Sequence, residues 1–373
     1  MKALIDAHML GAFETGNETY VRGLLKGLLE IRAPQAVAVR ESGVRALAQS
    51  GAAGDYALTH DVRRLRSGSD VARLLVELPR LARESGASLV HCTYVAPPRC
   101  PVPTVVTVHD VSFARHPEWF TARDRALLGA AVPYSARRAR AVITPSEHAR
   151  REVLELLRIP ERRVHVTPEA CGPEFRPLGP AARAEALRRC GVDGPYVLSL
   201  GNLQPRKNLG RLLDAWRHLR DAHLLEDHRL VLAGGTHGKR EPVARMVAES
   251  GLTREVLLPG HVRQEDLPAL YAGATAFVYP SLYEGFGLPL LEAMACGVPA
   301  ACSEAASLPE VADDAALLFD PHDTEAIAAA LGALLADEGL RAALVARGLS
   351  RAATFSWAAC ARRTFDAYTG ALA

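Results

Sequence analysis

The sequence predicts an α/β protein of two domains, each a doubly wound parallel sheet covered by helices. The chain of 373 residues is longer than a single hydrophobic core usually supports. Short apolar segments with strand character alternate with longer amphipathic segments, which is the pattern of parallel strands joined by helices. The alternation is interrupted at 171–180, where two glycines and three prolines indicate a linker. We therefore expect a first domain over 1–172 and a second over 173–355.

The first domain is expected to contain six strands. These are Lys2–Asp6, Ala36–Val39, Leu89–His91, Val105–His109, Ala141–Thr144 and Val164–Val166. A loop at 11–16 precedes a helix that should begin near Asn17, because apolar residues then recur at helical spacing. Gly16, just before that helix, is the expected place for a close approach to a phosphate. Ser146 is the expected N-cap of a later helix.

The second domain is expected to repeat this alternation with five strands. These are Tyr196–Leu200, Leu230–Ala233, Val256–Leu258, Ala276–Tyr279 and Ala316–Phe319. Parallel doubly wound sheets bind ligands at the carboxyl ends of their strands. Two polar pairs follow strands in this way: His109-Asp110 in the first domain and Arg206-Lys207 in the second.

Composition is that of an ordinary globular protein, with 49% hydrophobic and 23% charged residues. The net charge of +2 gives no reason to expect nucleic acid as a partner. Residues 1–172 carry 24 Lys and Arg against 18 Asp and Glu, whereas 173–373 carry 20 against 24. The basic first half would suit an acidic acceptor or an anionic membrane face.

Seven cysteines without Cys-x-x-Cys spacing suggest reduced, mostly buried thiols and a cytoplasmic protein. The N-terminal residues lack a long apolar signal core, and no apolar run is long enough to span a membrane. We expect a cytoplasmic location, with peripheral contact at the inner membrane face as the alternative.

The stretch Pro280–Pro299, PSLYEGFGLPLLEAMACGVP, contains the strongest functional signal. Glu284 and Glu292 are eight positions apart, separated by a glycine loop and the start of an apolar helix. Pro289 suits an early helical position, and Gly297 suits the left-handed turn that ends a helix. A helix N-terminus behind glycines can bind an anion, and ionised carboxylates beside it can accept hydrogen bonds from sugar hydroxyls.

This stretch resembles the Glu-x7-Glu signature of retaining glycosyltransferases of the GT-B fold, in particular glycosyltransferase family 4. The Arg206-Lys207-Asn208 motif and the His109-Asp110 pair resemble the family as well, and the likeness covers nearly the whole chain. It implies two Rossmann-like domains facing across a cleft, with helix 356–373 returning to the first domain. It also implies a hexosyltransferase that acts in glycan or polysaccharide biosynthesis.

The resemblance implies roles for individual residues. Glu284 would hold donor-sugar hydroxyls and Glu292 the ribose, while Arg206 and Lys207 would bind the diphosphate. The remaining residues expected to contact substrates are His109, Asp110, Gly16, Gly285, Phe286, Gly287 and Leu288. The partners would be a nucleotide-diphosphate sugar, with a weak preference for GDP-mannose, and an acceptor hydroxyl.

No carboxylate nucleophile is evident, so a front-face mechanism is favoured. In it, the leaving diphosphate takes the acceptor proton while cations stabilise its charge. We expect neither a cofactor nor a metal ion, because the sequence contains no Asp-x-Asp triplet and Arg206 and Lys207 supply positive charge. Two alternatives stay open: a nucleotide-sugar epimerase of the same fold, and a two-domain sugar-binding protein.

Overall fold

The computed structural model describes residues 1–12, 15–33, 35–49, 60–235 and 240–373. Within these ranges the chain forms two compact units. The first combines Met1–Ala170 with Phe355–Ala373, and the second is Cys171–Thr354.

The first unit is built on a seven-stranded parallel sheet. Its strands are β1 Ala3–Asp6, β2 Ala36–Val39, β3 Asp61–Arg64, β4 Leu89–Thr93, β5 Thr104–Thr107, β6 Ala141–Thr144 and β7 Val164–Val166. They lie in the order β3-β2-β1-β4-β5-β6-β7. The order in which successive strands are added reverses between β1 and β4. At such a switch point a doubly wound sheet opens a crevice. The strands nearest it are apolar on both faces, as helices on both sides require.

The expected strands of this sheet are present, but the sequence analysis missed β3. Its residues read Asp-Val-Arg-Arg and are only half-buried, because β3 is the edge strand of the sheet. Strand β5 ends at Thr107, so His109 follows the strand and does not end it. The expected loop at 11–16 is also corrected: helix Thr15–Glu30 includes Gly16, while residues 13–14 lie outside the described ranges.

Helices cover both faces of this sheet. They are Thr15–Glu30, Glu41–Gln49, Asp70–Ala72, Leu78–Glu84, Ser112–Arg115, Ala122–Arg138, Glu147–Leu157 and Trp357–Leu372, with a π-helical turn at Arg73–Glu77 and 3-10 turns at Pro117–Trp119 and Glu161–Arg163. Ser146 caps one of them, since its hydroxyl accepts a hydrogen bond from the Ala149 N–H at 3.0 Å. This N-cap was predicted from the sequence.

The second unit contains a six-stranded parallel sheet. Its strands are β8 Tyr196–Leu200, β9 Arg229–Ala233, β10 Val256–Gly260, β11 Ala276–Tyr279, β12 Ala300–Ser303 and β13 Ala316–Phe319, in the order β10-β9-β8-β11-β12-β13. Strand β12, Ala-Ala-Cys-Ser, was not predicted, because small residues have little strand propensity. Its position between β11 and β13 buries all four residues and favours the strand.

The helices of this unit are Pro180–Arg189, Leu209–Asp221, Arg240–Glu249, Leu267–Ala272, Leu288–Ala295, Leu308–Ala312, Thr324–Ala336 and Glu338–Ala352, with a 3-10 turn at Pro205–Lys207. Their buried leucines pack with Trp216, which is fully buried, on the strands. The seven cysteines are free, and four of them are buried. Among the described residues, no helix is both long enough and apolar enough to cross a membrane.

Helix Trp357–Leu372 packs closely against helix Thr15–Glu30 of the first unit. Two glycines of the earlier helix make the close approach possible. A Cβ atom at Gly23 would lie 2.0 Å from the Trp357 ring, and one at Gly27 would lie 2.1 Å from the Trp357 carbonyl oxygen. Both distances are too short for any side chain, so this helix pair requires glycine at the two positions.

Candidate active site

The loop that carries Glu284 connects β11 with helix Leu288–Ala295. The Ser307 hydroxyl lies 2.9 Å from the carbonyl oxygens of both Glu284 and Phe286, and so holds the loop from within the unit. Gly287 adopts a φ of 111°, and a Cβ atom there would lie 2.6 Å from Leu308. Glycine is therefore required where the loop turns into the helix.

Glu284 contacts both predicted cations. Its Oε1 lies 2.5 Å from Lys207 Nζ, and its Oε2 lies 2.8 Å from Arg206 Nη1. The cations lie on the turn that follows β8, the neighbour of β11 in the sheet. A hydrogen bond of 2.8 Å from the Leu282 N–H to the Arg206 carbonyl joins the two loops. The structure thus brings together three residues from two distant stretches of sequence.

Burial and charge have opposite effects on this cluster. Burial raises the pKa of Glu284, but Arg206 and Lys207 outweigh it and lower that pKa to about 2. Burial lowers the pKa of Lys207 to about 8, with Arg206 acting in the same direction and Glu284 opposing it. At neutral pH the cluster therefore contains a carboxylate and two cations, a net charge of +1 that suits a phosphate group.

Tyr279 completes the surroundings of Lys207 and was not predicted. Its hydroxyl oxygen lies 2.5 Å from Lys207 Nζ, and the ammonium lies 4.5 Å from the centre of its ring. An ammonium has three N–H donors, and Tyr279 and Glu284 accept hydrogen bonds from two of them. The third N–H can donate a hydrogen bond to a ligand. The only sequence signal for Tyr279 was its position as the last residue of β11.

Glu292 lies in the helix as expected, but its environment differs from that of Glu284. It is buried, and the Tyr271 hydroxyl donates a hydrogen bond of 2.8 Å to its Oε2. Burial raises the pKa of Glu292 to about 8, with the charge of Glu174 acting in the same direction and the Tyr271 hydrogen bond opposing it. At neutral pH, Glu292 is therefore mostly protonated and can donate as well as accept a hydrogen bond.

The other predicted residues fall into two groups. Those in the second unit lie on the same loop and helix start as Glu284: Gly285, Phe286, Gly287 and Leu288. Those in the first unit are Gly16, His109 and Asp110. Gly16 is exposed, and a Cβ atom there would meet nothing within 4 Å, so close packing does not require this glycine.

Asp110 has a local structural contact. Its Oδ1 accepts hydrogen bonds from the Ser112 N–H at 2.9 Å and the Ser112 hydroxyl at 2.6 Å, which start the short helix Ser112–Arg115. His109 Nδ1 lies 2.9 Å from Glu169 Oε1. Neither this contact nor a role for Glu169 was predicted from the sequence.

Comparisons with known proteins place the chain among glycosyltransferases. The family described as glycosyl transferases group 1 matches residues 189–351, and Glycosyltransferase Family 4 matches residues 15–175. The chain is 39% identical over 267 residues to the O-antigen chain mannosyltransferase B of Escherichia coli. This alignment covers 71% of this chain and 69% of the relative. It is 36% identical over 236 residues to the serotype-specific mannosyltransferase WbdA of E. coli. That alignment covers 62% of this chain and 29% of WbdA.

Solved structures share the fold. Sucrose-phosphate synthase from Thermosynechococcus elongatus aligns over 99% of this chain and 98% of its own, with a TM-score of 0.78 and 21% identity. Anabaena HepE, solved in complex with UDP and glucose, aligns over 99% of both chains with a TM-score of 0.76 and 17% identity.

Two parallel-sheet domains and these relatives define the class of the protein: it is a glycosyltransferase with the GT-B fold. The chain belongs to the family 4 glycosyltransferases. The family resemblance predicted from the Glu-x7-Glu stretch is therefore confirmed.

Proposed function

We propose that the protein transfers a mannosyl group from a nucleotide-diphosphate sugar, preferably GDP-mannose, to a hydroxyl of a polysaccharide, with retention of the anomeric configuration. The observation that carries the proposal is the cluster of Arg206, Lys207 and Glu284 at the carboxyl ends of β8 and β11. The names of two E. coli relatives support mannose, and one of them supports an O-antigen-like polysaccharide acceptor.

In the proposed step, the bond between the anomeric carbon and the diphosphate oxygen breaks. The acceptor oxygen bonds to the same face of that carbon, and the acceptor proton passes to the leaving phosphate oxygen. Negative charge grows on the diphosphate during this step. Arg206 and Lys207 stabilise that charge, and their contacts with Glu284 hold them in position before the reaction begins.

Glu284 has a second proposed role toward the sugar. A carboxylate offers roughly four acceptor positions, so donor-sugar hydroxyls can bind Glu284 while both cations remain in contact with it. The backbone of Gly285–Leu288 at the helix start is proposed to face the donor. Glu292 is proposed to hold the ribose hydroxyls.

The substitution Glu284→Gln tests this account. It keeps the size of the side chain but removes the charge that binds both cations. We expect a lower kcat/KM for transfer of radiolabelled mannose from GDP-mannose to a mannose-terminated oligosaccharide. The decrease should correspond to a loss of about 1.5–3 kcal/mol in transition-state stabilisation. The matched control is Glu185→Gln, which removes an exposed contact of 2.6 Å with Arg189 and should leave transfer unchanged.

Three results would count against the proposal. An inverted product, seen by NMR of the new glycosidic bond, would exclude retention. Isomerised nucleotide sugar formed without an acceptor would indicate an epimerase. Full activity of Glu284→Gln would show that the cluster does not stabilise the transition state.

We further propose that the first unit docks on an anionic membrane. Two of its segments expose large apolar side chains: Val71 is 65% exposed, Leu75 55% and Val76 60%, while Leu127 is 61% and Tyr134 47% exposed. The segments meet at an open pocket lined by Leu75, Tyr134, Pro98, Arg99 and Arg138.

The chemistry of this docking surface fits anionic phospholipid. Arg138 lies 5.5 Å from the centre of the Tyr134 ring, so a cation and an amphipathic aromatic ring occupy one patch. Each arginine near an anionic bilayer contributes about 1 kcal/mol of attraction, and the apolar side chains can enter the headgroup region. The described residues that line the pocket include two arginines and no carboxylate that would oppose that attraction.

Vesicle sedimentation tests the docking surface. We expect binding to vesicles that contain phosphatidylglycerol but not to pure phosphatidylcholine, and a marked loss for the double variant Leu75→Asn/Arg138→Gln. The control is Leu224→Asn, an exposed leucine of the second unit. Equal binding to both vesicle types, or full binding by the double variant, would contradict the proposal.

A further inference from the structure

A partly buried histidine–glutamate pair lies at the carboxyl edge of the first sheet. His109 follows β5 and Glu169 follows β7, two strands separated by β6. His109 Nδ1 lies 2.9 Å from Glu169 Oε1, and the Glu169 residue is only 4% exposed. The pair is therefore a long-range contact within one unit and not a chance meeting of surface side chains.

The contact bears on where His109 carries its proton. An ionised carboxylate only accepts hydrogen bonds, so the ring nitrogen that faces an ionised Glu169 is the donor. In the neutral imidazole the other nitrogen, Nε2, then presents a lone pair. Carboxylates that fix a histidine tautomer in this way occur in catalytic triads and beside metal-bound histidines.

The second nitrogen of the ring makes no hydrogen bond with the described residues. His109 Nε2 is buried and has no hydrogen-bond partner among the described residues. A buried polar atom without a partner destabilises the folded state, because it has lost its hydrogen bonds to water. Native proteins contain few such atoms, and each one needs a reason.

Aromatic rings keep the imidazole in this orientation. The Tyr20 ring lies edge-on with its centre 4.6 Å from that of His109, and the Tyr94 ring lies 5.7 Å away. Burial raises the pKa of Tyr20 well above 10, and it raises the pKa of Cys360, close to Glu169, to about 12. Both groups keep their own protons near pH 7. Neither can therefore take the place of Glu169 as the acceptor for the His109 proton.

We propose that Glu169 is a positioning residue that keeps the His109 proton on Nδ1, so that Nε2 accepts a hydrogen bond from a sugar hydroxyl of a bound substrate. This inference rests on the proposed sugar transfer. Neighbouring atoms of the protein cover Nε2, so a hydroxyl can reach it only when adjacent side chains shift. The hydroxyl would then satisfy the one nitrogen of the pair that the protein leaves without a partner.

Nitrogen-15 NMR of the imidazole rings tests the proton position directly, without any assay of activity. The His109 signals are assigned by their loss in His109→Gln. We expect wild-type His109 to show a protonated Nδ1 and an unprotonated Nε2. Glu169→Gln offers the ring an amide donor as well as an acceptor, so the population should shift toward Nε2–H.

Transfer kinetics of the same variants supply the second measurement. Wrong tautomers are costly in histidine-dependent enzymes, so we expect kcat/KM of Glu169→Gln to fall at least about tenfold. Glu169→Asp keeps an acceptor-only group and should retain the wild-type tautomer and more of the activity than Glu169→Gln. The matched control is Glu118→Gln, since Glu118 Oε1 lies 3.1 Å from His116 Nδ1 at an exposed site.

Two results would overturn the inference. One is a wild-type His109 that carries its proton on Nε2. The other is a Glu169→Gln variant that loses activity with the wild-type tautomer unchanged, which would make Glu169 a purely structural residue. Failure of the proposed function is a different result: the wild-type protein would transfer no sugar, while the tautomer measurement would still decide the state of the pair.

Discussion

Glu284 and Glu292 share a motif and are both buried, yet their electrostatic states are opposite. Glu284 has two cations within 2.8 Å, and its pKa falls to about 2. Glu292 has a neutral hydroxyl as its hydrogen-bond partner, and its pKa rises to about 8. The difference comes from hydrogen-bond partners that are 21 to 78 positions away in sequence, so the spacing of the two glutamates does not reveal it.

Glu292→Gln should change how stability depends on pH. The pKa of Glu292 is raised from 4.5 in the unfolded chain to about 8 in the folded protein, so its contribution is fully present below pH 4.5 and is lost as pH rises through 8. Glutamine keeps an acceptor for Tyr271 but does not titrate. The variant should therefore gain on the order of 3 kcal/mol relative to wild type between pH 5 and pH 9.

Urea unfolding of both proteins at the two pH values measures this difference. Comparing the variant with wild type at each pH cancels the titration of all other groups. A difference in unfolding free energy that is the same at pH 5 and pH 9 would show that Glu292 is ionised throughout this range.

Part of the candidate site could be predicted from the sequence. Glycine, proline and carboxylate positions placed Glu284 in a loop and Glu292 in a helix, because these signals are local. The contacts of Tyr279 and Glu169 were missed, since each depends on a partner brought close only by sheet order. Their roles, like those of the other site residues, remain proposals to be tested.

The elements of the fold show the same limit. Strands with apolar runs, such as β6 and β8, were predicted with their observed bounds. Strands β3 and β12 were missed, because one is a polar edge strand and the other consists of small residues. Their strand conformation is favoured by pairing with β2, and with β11 and β13, which composition alone does not indicate.

The contact between helices Thr15–Glu30 and Trp357–Leu372 gives a prediction at the scale of elements. Gly27→Ala adds a methyl group that would lie 2.1 Å from the Trp357 carbonyl oxygen. Alanine favours a helix by about 1 kcal/mol over glycine, but overpacking of this contact should outweigh that gain. We expect a net loss of about 1–2 kcal/mol in unfolding free energy, because an overpacking cost of about 2–3 kcal/mol exceeds the gain in helix propensity.

Thermal and urea unfolding measure the effect of Gly27→Ala. The control is Gly370→Ala in the partner helix, where the added methyl group meets nothing within 4 Å. That variant should be as stable as wild type or slightly more stable. If Gly27→Ala were also more stable than wild type, the two helices would not pack as closely as described.

At the scale of the whole molecule, the two halves of the chain differ in the sign of their net charge. Residues 1–172 have an excess of six basic residues, and residues 173–373 have an excess of four acidic ones. The proposed diphosphate site nevertheless lies in the acidic half. Local placement of Arg206 and Lys207, and not the overall charge, must therefore attract the anionic donor.

The same placement predicts that transfer needs no metal ion. Arg206 and Lys207 are both charged at neutral pH, and helix Leu288–Ala295 adds about half a positive charge at its N-terminus. The adjacent aspartates Asp313 and Asp314 lie 4.0 Å and 3.7 Å from arginines of helix Glu338–Ala352, which compete with a cation for their carboxylates. In this proposal, side chains and backbone supply the positive charge that a leaving diphosphate requires.

Activity should therefore survive saturating EDTA. Arg206→Ala and Lys207→Ala should each reduce kcat by about tenfold or more, because the charge that these side chains stabilise grows during bond cleavage. Arg254→Ala, which removes an exposed arginine of the same unit, serves as the control and should keep its turnover. Assays in EDTA, followed by addition of magnesium or manganese, measure the effect. Activity that disappears with EDTA and returns with either ion would show that a metal, and not the two side chains alone, neutralises the leaving group.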